Sequence, residues 1–169
     1  QKHLQIILTG VMLSLTKRRE GHGILAGNEN RILGRSARPV FAPHRGLRQG
    51  NAALMAEMKN RITKKGLWQE DTTIWAVPWD NPHTTLPHLC RYDVCTQGSL
   101  DLPVQTLPCG KYLIFTLPHT TEALAQAWAG CFDTAGAQGY TIDFIRPIME
   151  RYVKKEVDRH RCDLCLPMI

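Results

Sequence analysis

No apolar run in this sequence is long enough to cross a bilayer. The longest candidate, Leu4 to Leu15, is about a dozen residues, where roughly 20 are needed. Thr16-Lys17-Arg18-Arg19-Glu20 follows it without a small-residue cleavage site, so it does not read as a secretory signal either. A cytoplasmic protein with no membrane partner is the expectation. The chain also has no phosphate-cradling Gly-x-x-x-x-Gly-Lys and no His-x-x-x-His pair. Cys162-x-x-Cys165 has the spacing of a metal or redox motif but no second ligand pair to match it. On an extended strand its two thiols point to opposite faces. The six cysteines, Cys90, Cys95, Cys109, Cys131, Cys162 and Cys165, read as free thiols in or beside strands and helices rather than as bridges. His44, His83, His88 and His119 show no spacing that suggests a triad. No metal and no cofactor are expected.

Charge says less. The net charge is +6, yet Lys17-Arg18-Arg19, Lys64-Lys65 and Lys154-Lys155 are scattered along the chain rather than gathered into a stripe. Such clusters are usually solvated faces, not a nucleic-acid surface. With 169 residues, 43% of them hydrophobic, the chain can bury about two thirds of its unfolded surface. That suits one domain with a short appendage. The Gly-rich polar stretch from Gly21 to Gly34 reads as a linker. Residues 1–37 are therefore expected to be an N-terminal segment, a remnant of an upstream region, and 38–169 the domain.

What the chain does have is a phrase that occurs twice. Arg91-Tyr92-Asp93-Val94-Cys95 returns seventy positions later as Arg161-Cys162-Asp163-Leu164-Cys165. Each copy closes a segment that reads strand, helix, strand, strand. In the first, Pro39 to His44 is a short strand, with its prolines at an edge or start. Leu54, Met55, Met58 and Ile62 then mark a helix opened by Gly50-Asn51 and ended at Gly66. Thr72 to Trp79 and Leu89 to Thr96 follow as strands. In the second, Lys111 to Leu117 is a strand and Thr120 an N-cap. Ala123, Leu124, Ala127, Trp128, Cys131 and Phe132 form the helical stripe, and Phe144 to Val153 and Arg161 to Ile169 are strands. The last strand should put Cys162, Leu164, Leu166 and Met168 on one face and Arg161, Asp163 and Cys165 on the other. The fold class is thus α+β, a duplicated β-α-β-β module, and the seam between the halves is a natural place for a pocket.

The stretch from Trp75-Ala76-Val77-Pro78-Trp79-Asp80-Asn81-Pro82 through Pro87 to Arg91-Tyr92-Asp93-Val94-Cys95 resembles the middle of the GyrI-like small-molecule-binding domains. Gly110-Lys111-Tyr112-Leu113-Ile114-Phe115 is similar to their Gly-x-Tyr strand. Pro147-Ile148-Met149-Glu150-Arg151-Tyr152 and Cys162-Asp163-Leu164-Cys165-Leu166-Pro167-Met168 are similar to their closing patterns. The family includes the DNA gyrase inhibitory protein of bacteria and the effector domains of AraC-type and MerR-type regulators. The resemblance implies an antiparallel sheet with two main helices on one face and a ligand groove between the halves. It also implies that Glu150 is the carboxylate that receives amphipathic cations.

An isolated anion on a strand with Ile148, Met149 and Tyr152 is costly unless paired or solvated, so a salt bridge to Arg146 or another basic side chain is the alternative role for Glu150. A cation-binding groove also needs aromatic faces, each good contact contributing roughly 0.5 to 2 kcal/mol. Trp75, Trp79, Tyr92, Tyr112 and Phe115 are the candidates, whereas Trp128, on a helix stripe, reads as core. Three functions follow as expectations. The first is a small-molecule effector domain of a bacterial AraC-type regulator, reaching DNA only through an upstream domain. The second is a hydrolase of electrophilic toxins with Glu150 as general base. The third is a protein-binding module acting on DNA gyrase.

Overall fold

A computed structural model describes the backbone of residues 30–33 and 40–45, and residues 50–81 and 84–169 with their side chains. Most of the segment read as N-terminal linker, along with His83 and the His44 side chain, lies outside the described residues. The elements are β1 (Asn30–Leu33), β2 (Val40–Arg45), α1 (Asn51–Lys64), β3 (Thr73–Pro78), β4 (Arg91–Thr96), β5 (Gly110–Pro118), α2 (Thr121–Ala137), β6 (Met149–Val153), α3 (Lys154–Val157) and β7 (Arg161–Pro167). The strands form one seven-stranded sheet in the order β1-β5-β7-β6-β3-β4-β2, with every pairing antiparallel.

The duplication is visible in that order. In each module the first strand pairs with the third and the third with the second: β2-β4-β3 in one half, β5-β7-β6 in the other. The halves join through β3 and β6 in the middle of the sheet. Asn30–Leu33, inside the stretch read as linker, is a strand instead and extends the sheet beyond β5.

Local chemistry accounts for the helix ends. Thr120 caps α2, its Oγ1 accepting from the Ala123 N–H at 3.2 Å, and Glu122 lies in the first turn, where the helix dipole favours an anion. Gly50, at φ 90°, begins α1 without a side-chain cap, in a left-handed conformation that glycine adopts without strain. Arg61 and Lys64 occupy the last turn of α1. Both helices pack on one face of the sheet, α1 over β4 and β2 and α2 over β5 and β7. The main core lies between them and that face: Met58, Ile62, Trp128, Cys131 and Ala135 from the helices against Ile74, Val94, Phe115, Leu164 and Leu166 from the strands.

The strand expected over Phe144 to Val153 is shorter, beginning at Met149. Pro147 has no N–H to give a ladder. Before it Asp143 folds the chain locally, Oδ1 accepting from the Ile145 N–H at 2.9 Å and Oδ2 from the Arg146 guanidinium at 2.6 Å. Leu89, expected in a strand, instead ends a 3-10 turn that starts at Pro87. Cys162, Leu164, Leu166 and Met168 face the helices while Cys165 lies on the reverse side, so the two thiols of Cys162-x-x-Cys165 do point apart. All six cysteines are free, and only Cys109 is exposed. No helix among the described residues is long and apolar enough to cross a membrane.

Candidate functional site

The register across the middle of the sheet aligns Val94, Ala76, Glu150, Leu164 and Phe115 side by side on β4, β3, β6, β7 and β5. Glu150 is the one polar residue on that rung. Ala76 and Glu150 face each other across the β3–β6 pair, and they are also equivalent positions of the two modules. Ala76 pairs with Val94 in one, Glu150 with Leu164 in the other, and Val94 and Leu164 are matching residues of the repeated motif. The pseudo-two-fold axis therefore passes between them. Cross-strand neighbours have Cβ atoms about 4.5–5.5 Å apart, so the carboxylate stands beside a methyl group at the centre of the seam.

Two neutral donors hold Glu150. The Trp128 indole N–H donates to Oε1 at 2.8 Å from α2, and the Tyr152 hydroxyl donates to Oε2 at 2.8 Å from the same strand. No basic side chain among the described residues forms an ion pair with Glu150. Arg146, the alternative partner, is engaged by Asp143 and by the Cys109 and Met168 carbonyls. Burial pushes the Glu150 carboxyl above the usual glutamate range, against the opposing pull of the two hydrogen bonds. The Tyr92 hydroxyl is also pushed up, first by burial and then by the Glu150 charge, as is that of Tyr152. The two phenols and the carboxylate thus share one poorly solvated neighbourhood. The His119 ring packs against the outer side of Tyr152, with centroids 5.3 Å apart. Cys162 is close enough to feel the same charge, and burial raises its thiol to about 12, so it stays protonated and is no nucleophile at neutral pH.

The sheet separates the aromatic side chains expected around this carboxylate. Tyr92 and Phe115 share its face, but Trp75, Trp79 and Tyr112 lie on the reverse face, because Trp75 adjoins Ala76 on β3 and successive side chains alternate. There the Trp79 indole N–H donates to Asp93 Oδ2 at 2.6 Å. The Tyr112 hydroxyl donates to the Pro108 carbonyl at 3.1 Å beneath the Arg146 guanidinium, and Trp75 packs with Val77, Cys95 and Met149. One groove cannot bring these three together with Glu150.

Trp128 and Tyr152 are the residues that sequence reasoning left out of the site. Tyr152 was legible, being two residues from Glu150 on one strand. Trp128 gave a weaker signal: a buried indole N–H needs a partner, and the stripe around it, Ala123, Leu124, Ala127, Cys131 and Phe132, has no carboxylate, amide or hydroxyl acceptor.

A profile of the GyrI-like small molecule binding domain matches residues 43–169. The chain is 33% identical over 124 residues to the "SPbeta prophage-derived putative transcriptional regulator YosT" of Bacillus subtilis (strain 168), covering 70% of this chain and 82% of that protein. Among solved structures it is similar to SAV2435 bound to tetraphenylphosphonium, with a TM-score of 0.48 and 14% identity over 84% of this chain and 94% of that one. It is also similar to a "Putative bacterial transcription regulation protein" from Staphylococcus aureus MU50, with a TM-score of 0.45 and 16% identity over 78% and 90% of the two chains. With the repeated β-α-β-β order and the profile match in agreement, this chain belongs to the GyrI-like small-molecule-binding domain family.

Proposed function

We propose that the domain binds amphipathic, singly charged cations at the seam, with Glu150 as the charge partner, and that it serves as the ligand-sensing part of a bacterial transcription regulator. One observation carries the first half: a carboxylate on the pseudo-two-fold axis is held by an indole and a phenol in an apolar core, with no cation paired to it among the described residues. Such an anion raises the free energy of the folded protein, and a lipophilic cation would offset that by bringing a charge that is itself weakly hydrated. Tyr92 and Tyr152 supply aromatic surroundings on the same face of the sheet. The name of the Bacillus subtilis relative supports the regulatory half; an AraC-type arrangement would need a DNA-reading domain joined to this one.

Titration calorimetry with a tetraaryl phosphonium, which has charge but no hydrogen-bond donor, tests the reading. Glu150→Gln is expected to weaken binding about tenfold, equivalent to about 1.4 kcal/mol, and a neutral ligand of the same shape should bind both proteins alike. Equal phosphonium affinity for the two proteins would remove Glu150 from the site. The elevated Glu150 carboxyl also suits a general base. Turnover of an electrophilic small molecule, followed by mass spectrometry and lost in Glu150→Gln, would favour the hydrolase reading.

A further inference from the structure

We infer that Trp128 is the gate of this site: without a ligand its indole N–H occupies Glu150, and a cation reaches the carboxylate only when Trp128 releases that bond and leaves the floor of the seam. The inference rests on the reading of Glu150 as charge partner and adds how access to it is controlled.

The first support is coverage. Trp128 is 5% exposed, Tyr152 9% and Ala76 fully buried, so the two donors and the methyl group beside the carboxylate are packed in, and Glu150 keeps only part of its surface open. A cation that sits against both carboxylate oxygens must displace one of the groups that hold them. Ala76 is a methyl group on the central strand, and Tyr152 sits on β6 with its ring against His119. Trp128 alone reaches the carboxylate from a helix, across the space between layers, and rotation about its side-chain bonds withdraws it without breaking the sheet.

Hydrogen bonding gives the second. Each carboxylate oxygen accepts one donor, and bonds to an ionised acceptor are roughly twice as strong as neutral ones. A cation that takes the place of Trp128 at Oε1 must offset the loss of that bond, and a ligand that lacks donors must do so by charge attraction alone.

Internal symmetry gives the third. Trp128 lies eight residues after its N-cap Thr120, and Met58 lies eight residues after the N-cap Gly50. Met58 and Ala76 occupy in the first module the places of Trp128 and Glu150 in the second, and both are fully buried without a polar link. Among the described residues only α2 is tied to the floor by a hydrogen bond, so ligand entry is felt on one side of the seam. A ligand shifts a conformational equilibrium only if it prefers one state, and here the preferred state is the one with Trp128 withdrawn.

The test uses the full chain and a tetraaryl phosphonium. Trp128→Phe keeps an aromatic ring and removes the donor; it is expected to bind the cation about threefold to tenfold more tightly than wild type. Adding Glu150→Gln to Trp128→Phe should abolish that gain. In wild-type protein the indole N–H resonance of Trp128, identified by its loss in Trp128→Phe, should move on saturation towards the position of an indole without a carboxylate partner. Unchanged or weaker binding by Trp128→Phe, or an indole resonance that stays in place on saturation, makes Trp128 a fixed wall and overturns the gate. Absence of any phosphonium binding by the wild-type protein overturns the functional reading itself.

Discussion

The two modules have the same strand order and differ where it matters. On the helix side, Met58 and Ala76 in the first half correspond to Trp128 and Glu150 in the second: an apolar pair against a hydrogen-bonded polar one. On the reverse side, Asp93 and Asp163 are equivalent members of the repeated motif, but their partners differ. Asp163 accepts from the Arg151 guanidinium at 2.7 Å and from the Thr116 hydroxyl at 2.6 Å. Asp93 has the Trp79 indole instead, and Val77 stands opposite it where Arg151 stands opposite Asp163. The first half thus presents an apolar pair on the helix side, while the second carries a carboxylate there and a buried ion pair on the reverse face. A symmetrical pair of carboxylates on the axis would repel each other across the strands, so the asymmetry is what permits a single anion there.

The largest expected effect lies on the reverse face. Arg151 and Asp163 form a pair whose side chains are 14% and 7% exposed. Arg151→Met leaves the Asp163 charge nearly dry with only a hydroxyl for company, and should cost about 3–5 kcal/mol in urea unfolding. Asp93→Asn, in the other module, keeps an acceptor for Trp79 and should cost about 1 kcal/mol. Equal losses would show that the halves are energetically alike despite their different partners.

Glu150 gives a smaller effect with a characteristic pH dependence. Its folded-state carboxyl titrates above the ordinary glutamate range because of burial. Between those two values the folded chain holds more protons than the unfolded one, so stability falls as pH rises and levels off above the raised value. Glu150→Gln should remove that slope and be more stable than wild type near neutrality by about 1 kcal/mol or more. Thermal unfolding across a pH series reads both; a variant no more stable than wild type would mean that the two hydrogen bonds fully compensate the burial. Phosphonium binding should run the other way, weakening as pH falls and the carboxyl takes up its proton.

The smallest effect compares the helix starts. Thr120→Ala removes the side-chain cap of α2 and should cost about 1 kcal/mol. The α1 start, at Gly50, has no such bond to lose. Chemical denaturation of Thr120→Ala measures it, and an unaltered midpoint would mean that tertiary packing alone holds the end of α2.

Much of this was legible in the chain. The repeated Arg-x-Asp-x-Cys phrase disclosed the duplication, although the motif proves to serve the reverse face, with Asp93, Cys95, Asp163 and Cys165 all buried away from the helix side except where strand ends expose Arg91 and Arg161. Apolar spacing placed both main helices, and Thr120 marked its helix start, since caps and stripes depend on neighbours within a few residues. Glu150 stood out because a charge amid Ile148, Met149 and Tyr152 is conspicuous in one dimension. The aromatic set around it was not legible. Alternation pairs Trp75 with Trp79 on one face, but a strand read alone does not say which of its faces meets the helices.

The amino-acid order alone determined the period of each element, the two-module repeat and the position of the lone acid, all of which follow from contacts a few residues apart or from direct self-comparison. Only the tertiary structure decided that Glu150 faces Ala76 across the axis, that Trp128 reaches it from α2, and that Trp75, Trp79 and Tyr112 turn away. Those outcomes depend on the pairing of β3 with β6, residues more than seventy positions apart. A register shift of a single residue there would reverse every face.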